Sequence, residues 1–142
     1  MRLMRISCFG VFLIALSACT AGLFSKEGAQ AFPPLEPGKG RVFFYRTSTF
    51  GAAYTAEVLL NGEGVGKPDR RGVFFRDVLP GSYAVTTAMT AKVVNFSVAA
   101  GERKYVKFSS TIFGSHLYPE LIDPARGEAE ASGLSPMGQG RK

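Results

Sequence analysis

From Arg41 onward, short apolar runs recur at roughly ten-residue spacing with Gly, Pro and Asn between them, the pattern of antiparallel strands in a sandwich or barrel. The runs predict strands near Arg41–Thr47, Ala56–Asn61, Gly72–Val78, Ser82–Met89, Lys92–Ala99, Arg103–Ser110 and Leu117–Asp123. Alternation assigns an inward face to Tyr83, Val85 and Thr87, to Val94, Phe96 and Val98, and to Val106 and Phe108 on either side of Lys107. By contrast, Val42-Phe43-Phe44-Tyr45 and Val73-Phe74-Phe75 are apolar at every position, so those two strands should be central or covered by a second layer. A single sheet of short strands would leave both its faces bare, which favours two sheets packed face to face. The expected fold class is all-β, an antiparallel β-sandwich of about seven strands. No stretch holds a sustained helical period.

Several junctions carry turn chemistry. Leu79-Pro80-Gly81-Ser82 suits a type II turn, with Pro80 presetting φ and Gly81 accepting positive φ, and it predicts a hairpin between Val73–Val78 and Tyr83–Thr87. Asn61-Gly62 is the dipeptide of tight hairpin turns, and Ala99-Ala100-Gly101-Glu102 reads as another reversal.

Ahead of the strands the pattern is different. Met1 to Arg5 supply positive charge, Ile6 to Leu16 form an apolar run of about a dozen residues, and Leu16-Ser17-Ala18-Cys19 follows, resembling the lipobox of bacterial lipoproteins. The run is short of the about 20 apolar residues that span a bilayer. Small residues before the cut let extended backbone enter a peptidase cleft, and the Cys19 thiol is the nucleophile that takes the diacylglycerol. The expected division is a signal peptide over 1–18, acylated Cys19 with a flexible tether over 19–40, a β-sandwich over 41–131 and a disordered tail over 132–142. By the sorting rule of such lipoproteins, Thr20 in place of aspartate after the cysteine implies outer-membrane delivery, facing the periplasm. Acyl chains contribute about 0.8 kcal/mol per buried CH₂, so a multiply acylated cysteine would hold the chain on the lipid bilayer without a transmembrane helix.

Composition removes several function classes. A length of 142 residues suits one domain, and 20% charged with 12% aromatic residues fits a folded chain. The formal charge of +6 falls to +4 once Arg2 and Arg5 are cut away, and the remaining bases are scattered, so nucleic acid is not an expected partner. Both cysteines, Cys8 and Cys19, lie in the first twenty residues, which leaves the domain no disulfide framework, thiol ligand or thiol nucleophile.

The remaining motifs point to architecture. Gly62-Glu63-Gly64-Val65-Gly66-Lys67 invites comparison with a phosphate-binding loop, but Asn61 stands where the first glycine belongs and Pro68 where Ser or Thr belongs, so a glycine-rich hairpin is expected. His116 is the sole histidine and has no evident partner for metal binding or catalysis. Asp69, Asp77 and Asp123 flank turns and are expected to cap turn amides. No catalytic residue, metal site or cofactor is expected.

Gly40-Arg41-Val42-Phe43-Phe44-Tyr45-Arg46, Val58-Leu59-Leu60-Asn61-Gly62, Phe75-Arg76-Asp77-Val78-Leu79-Pro80-Gly81-Ser82-Tyr83, Val98-Ala99-Ala100-Gly101-Glu102 and Gly127-Glu128-Ala129-Glu130 together resemble the DUF2846 family of bacterial lipoproteins. The resemblance runs from Gly38 to about Ala131. It implies a β-sandwich at the cell envelope, carboxypeptidase-regulatory-like or immunoglobulin-like, and carries no catalytic residues. The expected role is an envelope lipoprotein whose non-catalytic domain binds an envelope protein or peptidoglycan. The alternative is a carrier or sensor of a small hydrophobic ligand held between the sheets.

Overall fold

The computed structural model describes residues 32–49, 55–110 and 116–139. Along the chain these form β1 (Gly40–Tyr45), β2 (Val58–Leu60), β3 (Glu63–Gly66), β4 (Gly72–Val78), β5 (Gly81–Thr87), β6 (Val94–Val98), β7 (Arg103–Ser110), β8 (Leu117–Ile122), helix α1 (Pro124–Ala131) and β9 (Ser135–Gln139). The strands make a five-stranded sheet in the order β8-β7-β1-β4-β9 and a four-stranded sheet in the order β3-β2-β5-β6. The fold is an all-β sandwich, as the strand pattern predicts.

Alternation explains how the sheets meet. Val42, Phe44, Phe74, Val106 and Phe108 of the first sheet pack against Val58, Leu60, Val85, Phe96 and Val98 of the second. Phe44 and Phe74 stack with ring centroids 5.1 Å apart, and both are essentially inaccessible. Buried Thr87 donates its hydroxyl to the Leu117 carbonyl at 3.0 Å, a polar tie from β5 to β8. The runs that are apolar on both faces became β1 and β4, both interior to the five-stranded sheet, with a second apolar cluster on their outer side.

The antiparallel expectation holds throughout the smaller sheet, but the larger one is mixed, because β1 runs parallel to β7 and β4 runs parallel to β9. The Pro80-Gly81 hairpin is also corrected. β4 and β5 belong to different sheets, and Gly81 does not take positive φ, so this link carries the chain across the sandwich. The Tyr83 hydroxyl donates to the Leu79 carbonyl and pins the crossing, the device by which a tyrosine braces a sandwich corner. The Ala99–Glu102 reversal is also a crossing between the sheets, from β6 to β7, with Gly101 at a φ of 78°. Asn61 and Gly62 do form the predicted tight turn, at φ of 50° and 83°, and join β2 to β3.

Both ends of the domain differ from expectation. The tether assigned to 19–40 is not free over its last part, because residues 32–40 lie against the larger sheet through the contacts of Phe32, Pro33 and Pro34. The tail assigned to 132–142 contains β9, which pairs with β4, and Leu134 just ahead of it is buried in the outer apolar cluster. Between them α1 was not anticipated. Asp123 caps it by accepting from the amides of Ala125 and Arg126, and Pro124 sits in its first turn, where no amide is needed.

Candidate functional site

The outer face of the larger sheet concentrates the polar chemistry of the domain. On β1, Arg41, Phe43 and Tyr45 share that face by the two-residue period. Their register partners are Asp77, Phe75 and Val73 on β4, and Arg103, Tyr105 and Lys107 on β7. The face is therefore graded, with charges at one end, aromatic rings in the middle and a tyrosine and a lysine at the other end.

At the first end, Arg41 and Asp77 form a bidentate pair, Nε to Oδ1 at 2.6 Å and Nη2 to Oδ2 at 2.8 Å, with both side chains only 3% exposed. The guanidinium has donors left over, and they go to the carbonyls of Pro33 at 2.6 Å and Pro34 at 3.2 Å. Its carbon also lies 4.1 Å from the centroid of the Phe75 ring, so its face as well as its edge is occupied. The hydrogen bonds from Arg41 hold the Asp77 carboxyl below its ordinary range, against the opposing effect of burial.

In the middle, Phe43 and Tyr105 stack nearly parallel with centroids 4.9 Å apart. Phe32 approaches edge-on to both Phe43 and Phe75, at 5.3 and 5.6 Å. Helix α1 closes the remaining side. A Cβ on Gly127 would lie 2.4 Å from Cβ and Cγ of Tyr105, so glycine is what lets the helix rest on that ring.

At the far end Glu130 of α1 gathers three donors. Its Oε2 accepts from the Tyr45 hydroxyl at 3.0 Å and from Lys107 Nζ at 2.9 Å, and its Oε1 accepts from Arg126 Nε at 2.8 Å. Burial alone would raise the Glu130 carboxyl, but these hydrogen bonds outweigh it and bring it down to about 2. Burial first, and then the bond to Glu130, push the Tyr45 hydroxyl well above the usual phenol range.

Two depressions flank this construction. A cleft of about 280 Å³ lies between the Phe32–Leu35 segment and α1, over Phe43 and Tyr105, with Arg103 and Glu128 at its edge. A more polar groove of about 510 Å³ lies at the end of the sandwich, lined by Glu36, Lys39, Asn61, Glu63, Arg76 and Tyr83, among others.

The residues singled out in the sequence are scattered. Leu16, Ser17, Ala18 and Cys19 lie outside the described residues. Asn61 reaches beyond its turn, where its Oδ1 accepts from the Ala84 amide at 2.8 Å, and Pro80 and Gly81 are exposed at the sheet crossing. Gly62–Lys67 forms the turn and second strand of the β2–β3 hairpin, as expected, and His116 is exposed just ahead of β8, beside Tyr118. Asp123 caps as expected, and Asp77 accepts from the amide of Glu36, at the start of the Glu36–Lys39 turn, at 3.5 Å, while its main partner is Arg41. The Arg41–Asp77 pair and the Glu130 hub were not anticipated. Among the described residues, no group of three or more His, Cys, Asp or Glu could hold a metal, and no helix is long and apolar enough to cross a membrane.

No curated protein and no solved structure matches this chain. A family described as a protein of unknown function, DUF2846, matches residues 36–116, from just after the Phe32–Leu35 segment to the start of β8. The match takes in Arg41, Asp77 and the Leu79–Ser82 and Ala99–Glu102 crossings, and leaves α1, with Gly127 to Glu130, outside it. Over half of the chain falls within that match, and the protein belongs to the DUF2846 family.

Proposed function

We propose that this protein is a membrane-anchored envelope lipoprotein, held by acyl groups on Cys19, whose β-sandwich is a non-catalytic interaction domain. The observation that carries this reading is Leu16-Ser17-Ala18-Cys19, placed directly after a basic start and an apolar run of signal length. The first described residue packed on the sheet is Phe32, and residues 20–31 lie in sequence between it and the proposed anchor. Fully extended, twelve residues reach at most about 40 Å, which keeps the domain close to the lipid surface. Thr20 favours the outer membrane and a periplasmic orientation.

The chemistry of the domain supports binding over turnover. Its two best-buried carboxylates, Asp77 and Glu130, are each committed to cations and held deprotonated, which makes them poor proton donors and poor bases. The space between the sheets is filled by Phe44, Phe74, Phe108 and their neighbours, where a carrier of a hydrophobic ligand would need a chamber. The groove beside Asn61 and Glu63 mixes acids, bases, an amide and a phenol, and such a surface suits a polar partner rich in amides and charges, an envelope protein or the peptide-bearing cell-wall polymer.

Two experiments test this. In cells fed labelled fatty acid, the wild type is expected to take up label and Cys19→Ala to remain unlabelled and uncleaved; equal labelling of both would overturn the anchor. A photo-crosslinking amino acid at position 63 is expected to trap one discrete envelope protein or glycan, and the absence of any specific adduct would overturn the interaction role.

A further inference from the structure

The Phe32–Leu35 segment is bound to the outer face of the larger sheet as a ligand would be. It belongs to neither sheet, and it lies on that face through the edge of one ring and the carbonyls of two prolines. Proline lacks an amide hydrogen, so Pro33 and Pro34 offer acceptors only, and Arg41 supplies donors only. A side chain that donates to backbone carbonyls beside an aromatic floor is a means of holding a proline-containing extended peptide.

The connection to the sandwich is short. Glu36 to Lys39 form a tight reversal with Pro37 and with Gly38 at a φ of 78°, closed by the Lys39 amide donating to the Glu36 carbonyl at 3.1 Å and by a partly exposed Lys39–Glu36 ion pair. Opening that reversal gives up its internal hydrogen bond, the long 3.5 Å bond from the Glu36 amide to Asp77 Oδ2 and an ion pair of the kind worth about 0–1 kcal/mol, and it breaks no strand pairing, because β1 begins only at Gly40.

From this we propose that the aromatic groove formed by Phe43, Phe75 and Arg41 is an interaction site for a second copy of this chain, occupied by exchange of the Phe32–Leu35 strap between neighbouring molecules. The occupant is named by the structure itself, since the segment that fills the groove belongs to this chain. Exchange preserves every groove contact and alters only the short reversal, which is the condition under which swapping between identical molecules is inexpensive. Confinement to a membrane surface raises the effective concentration of neighbours and favours exchange. That last point rests on the anchoring proposed above, whereas the complementarity of strap and groove does not.

The test uses the full chain purified in detergent, so that its outcome is independent of whether Cys19 is acylated. Deleting Pro37 and Gly38 leaves the strap too short to fold back on its own groove. Light scattering coupled to size exclusion is expected to show this variant at twice the protein mass of a monomer, and Phe32→Ser in the same background is expected to return it to monomer. A shortened chain that keeps a strand-type circular dichroism spectrum and stays monomeric overturns the proposal. Should the shortened chain fail to fold, a fluorescent peptide of residues 30–37 titrated into the full-length Phe32→Ser variant decides the matter. Saturable binding, weakened at least about tenfold by Arg41→Lys through loss of the two-pronged donor, supports exchange. No binding to the Phe32→Ser variant overturns it.

Discussion

Between the sheets, the inner face of β1 and β4 is buried by interdigitated Phe, Val and Leu side chains; on the outer face of the same strands, burial comes from a strap, a helix of eight residues and Leu134 just after it. That outer cover is fixed by two charged devices, the Arg41–Asp77 pair and the Glu130 hub. The inner layer is held by area and packing, which fail only together. The outer layer is held by a few directional contacts, and each of these can be removed singly. Interaction surfaces and exchangeable segments are expected in layers of the second kind, because such segments can open without the sheets unfolding.

The comparison can be tested at four points. Removing an inner ring should have the largest effect: Phe44→Ala, at a site with no exposure, is expected to lose about 3–5 kcal/mol in urea unfolding, with no change in the salt dependence. Asp77→Ala leaves the Arg41 guanidinium buried without its carboxylate and is expected to cost about 3 kcal/mol, with the strap becoming sensitive to protease well before the sheets unfold. Gly127→Ala tests the seat of the helix. Alanine favours a helix over glycine by about 1 kcal/mol, but the collision with Tyr105 should reverse the sign to a net loss of about 1–2 kcal/mol by thermal unfolding.

Acid provides the smallest and most graded probe. The Glu130 carboxyl is held at about 2 in the folded chain, against an ordinary 4.5. The unfolded chain therefore binds that proton more readily. The contribution of Glu130 to stability is complete above the ordinary value and is lost as pH falls from about 4.5 toward 2. Asp77, shifted in the same direction, adds to the slope. Glu130→Gln is expected to flatten the pH dependence of unfolding in that window, and an unchanged slope would show that the hub does not fasten the helix.

Legibility in the sequence follows the same division. Every strand with large alternating side chains was readable, β4 and β7 to the residue, because a half-buried strand writes its two-residue period into the chain. Helix α1 was not readable by period, since its buried residues are Gly127 and Ala131, too small to mark an apolar stripe. Its only signal was Asp123-Pro124, an N-cap followed by a first-turn proline. β9 joins through backbone pairing to β4, its own Met137 is exposed, and Leu134 just ahead of it is the buried apolar mark. β3, short and glycine-rich at a sheet edge, was readable only as the second arm of a hairpin. The Pro-Gly motif after β4 looked local but serves a crossing between sheets, which turn propensity does not distinguish from a hairpin. Arg41 at the head of an apolar run was the available hint of a buried pair, but its partner lies 36 residues away and only the register of β1 with β4 brings them together.

Native-state hydrogen exchange of the full chain probes the difference between the layers most directly. The account predicts that amides of the Glu36–Lys39 reversal and of α1 exchange through openings of lower free energy than those of β1, β4 and β7, and that Asp77→Ala lowers the former while leaving the separation intact. Exchange of strap, helix and sheet amides at one common free energy, shifted in unison by Asp77→Ala, would contradict it.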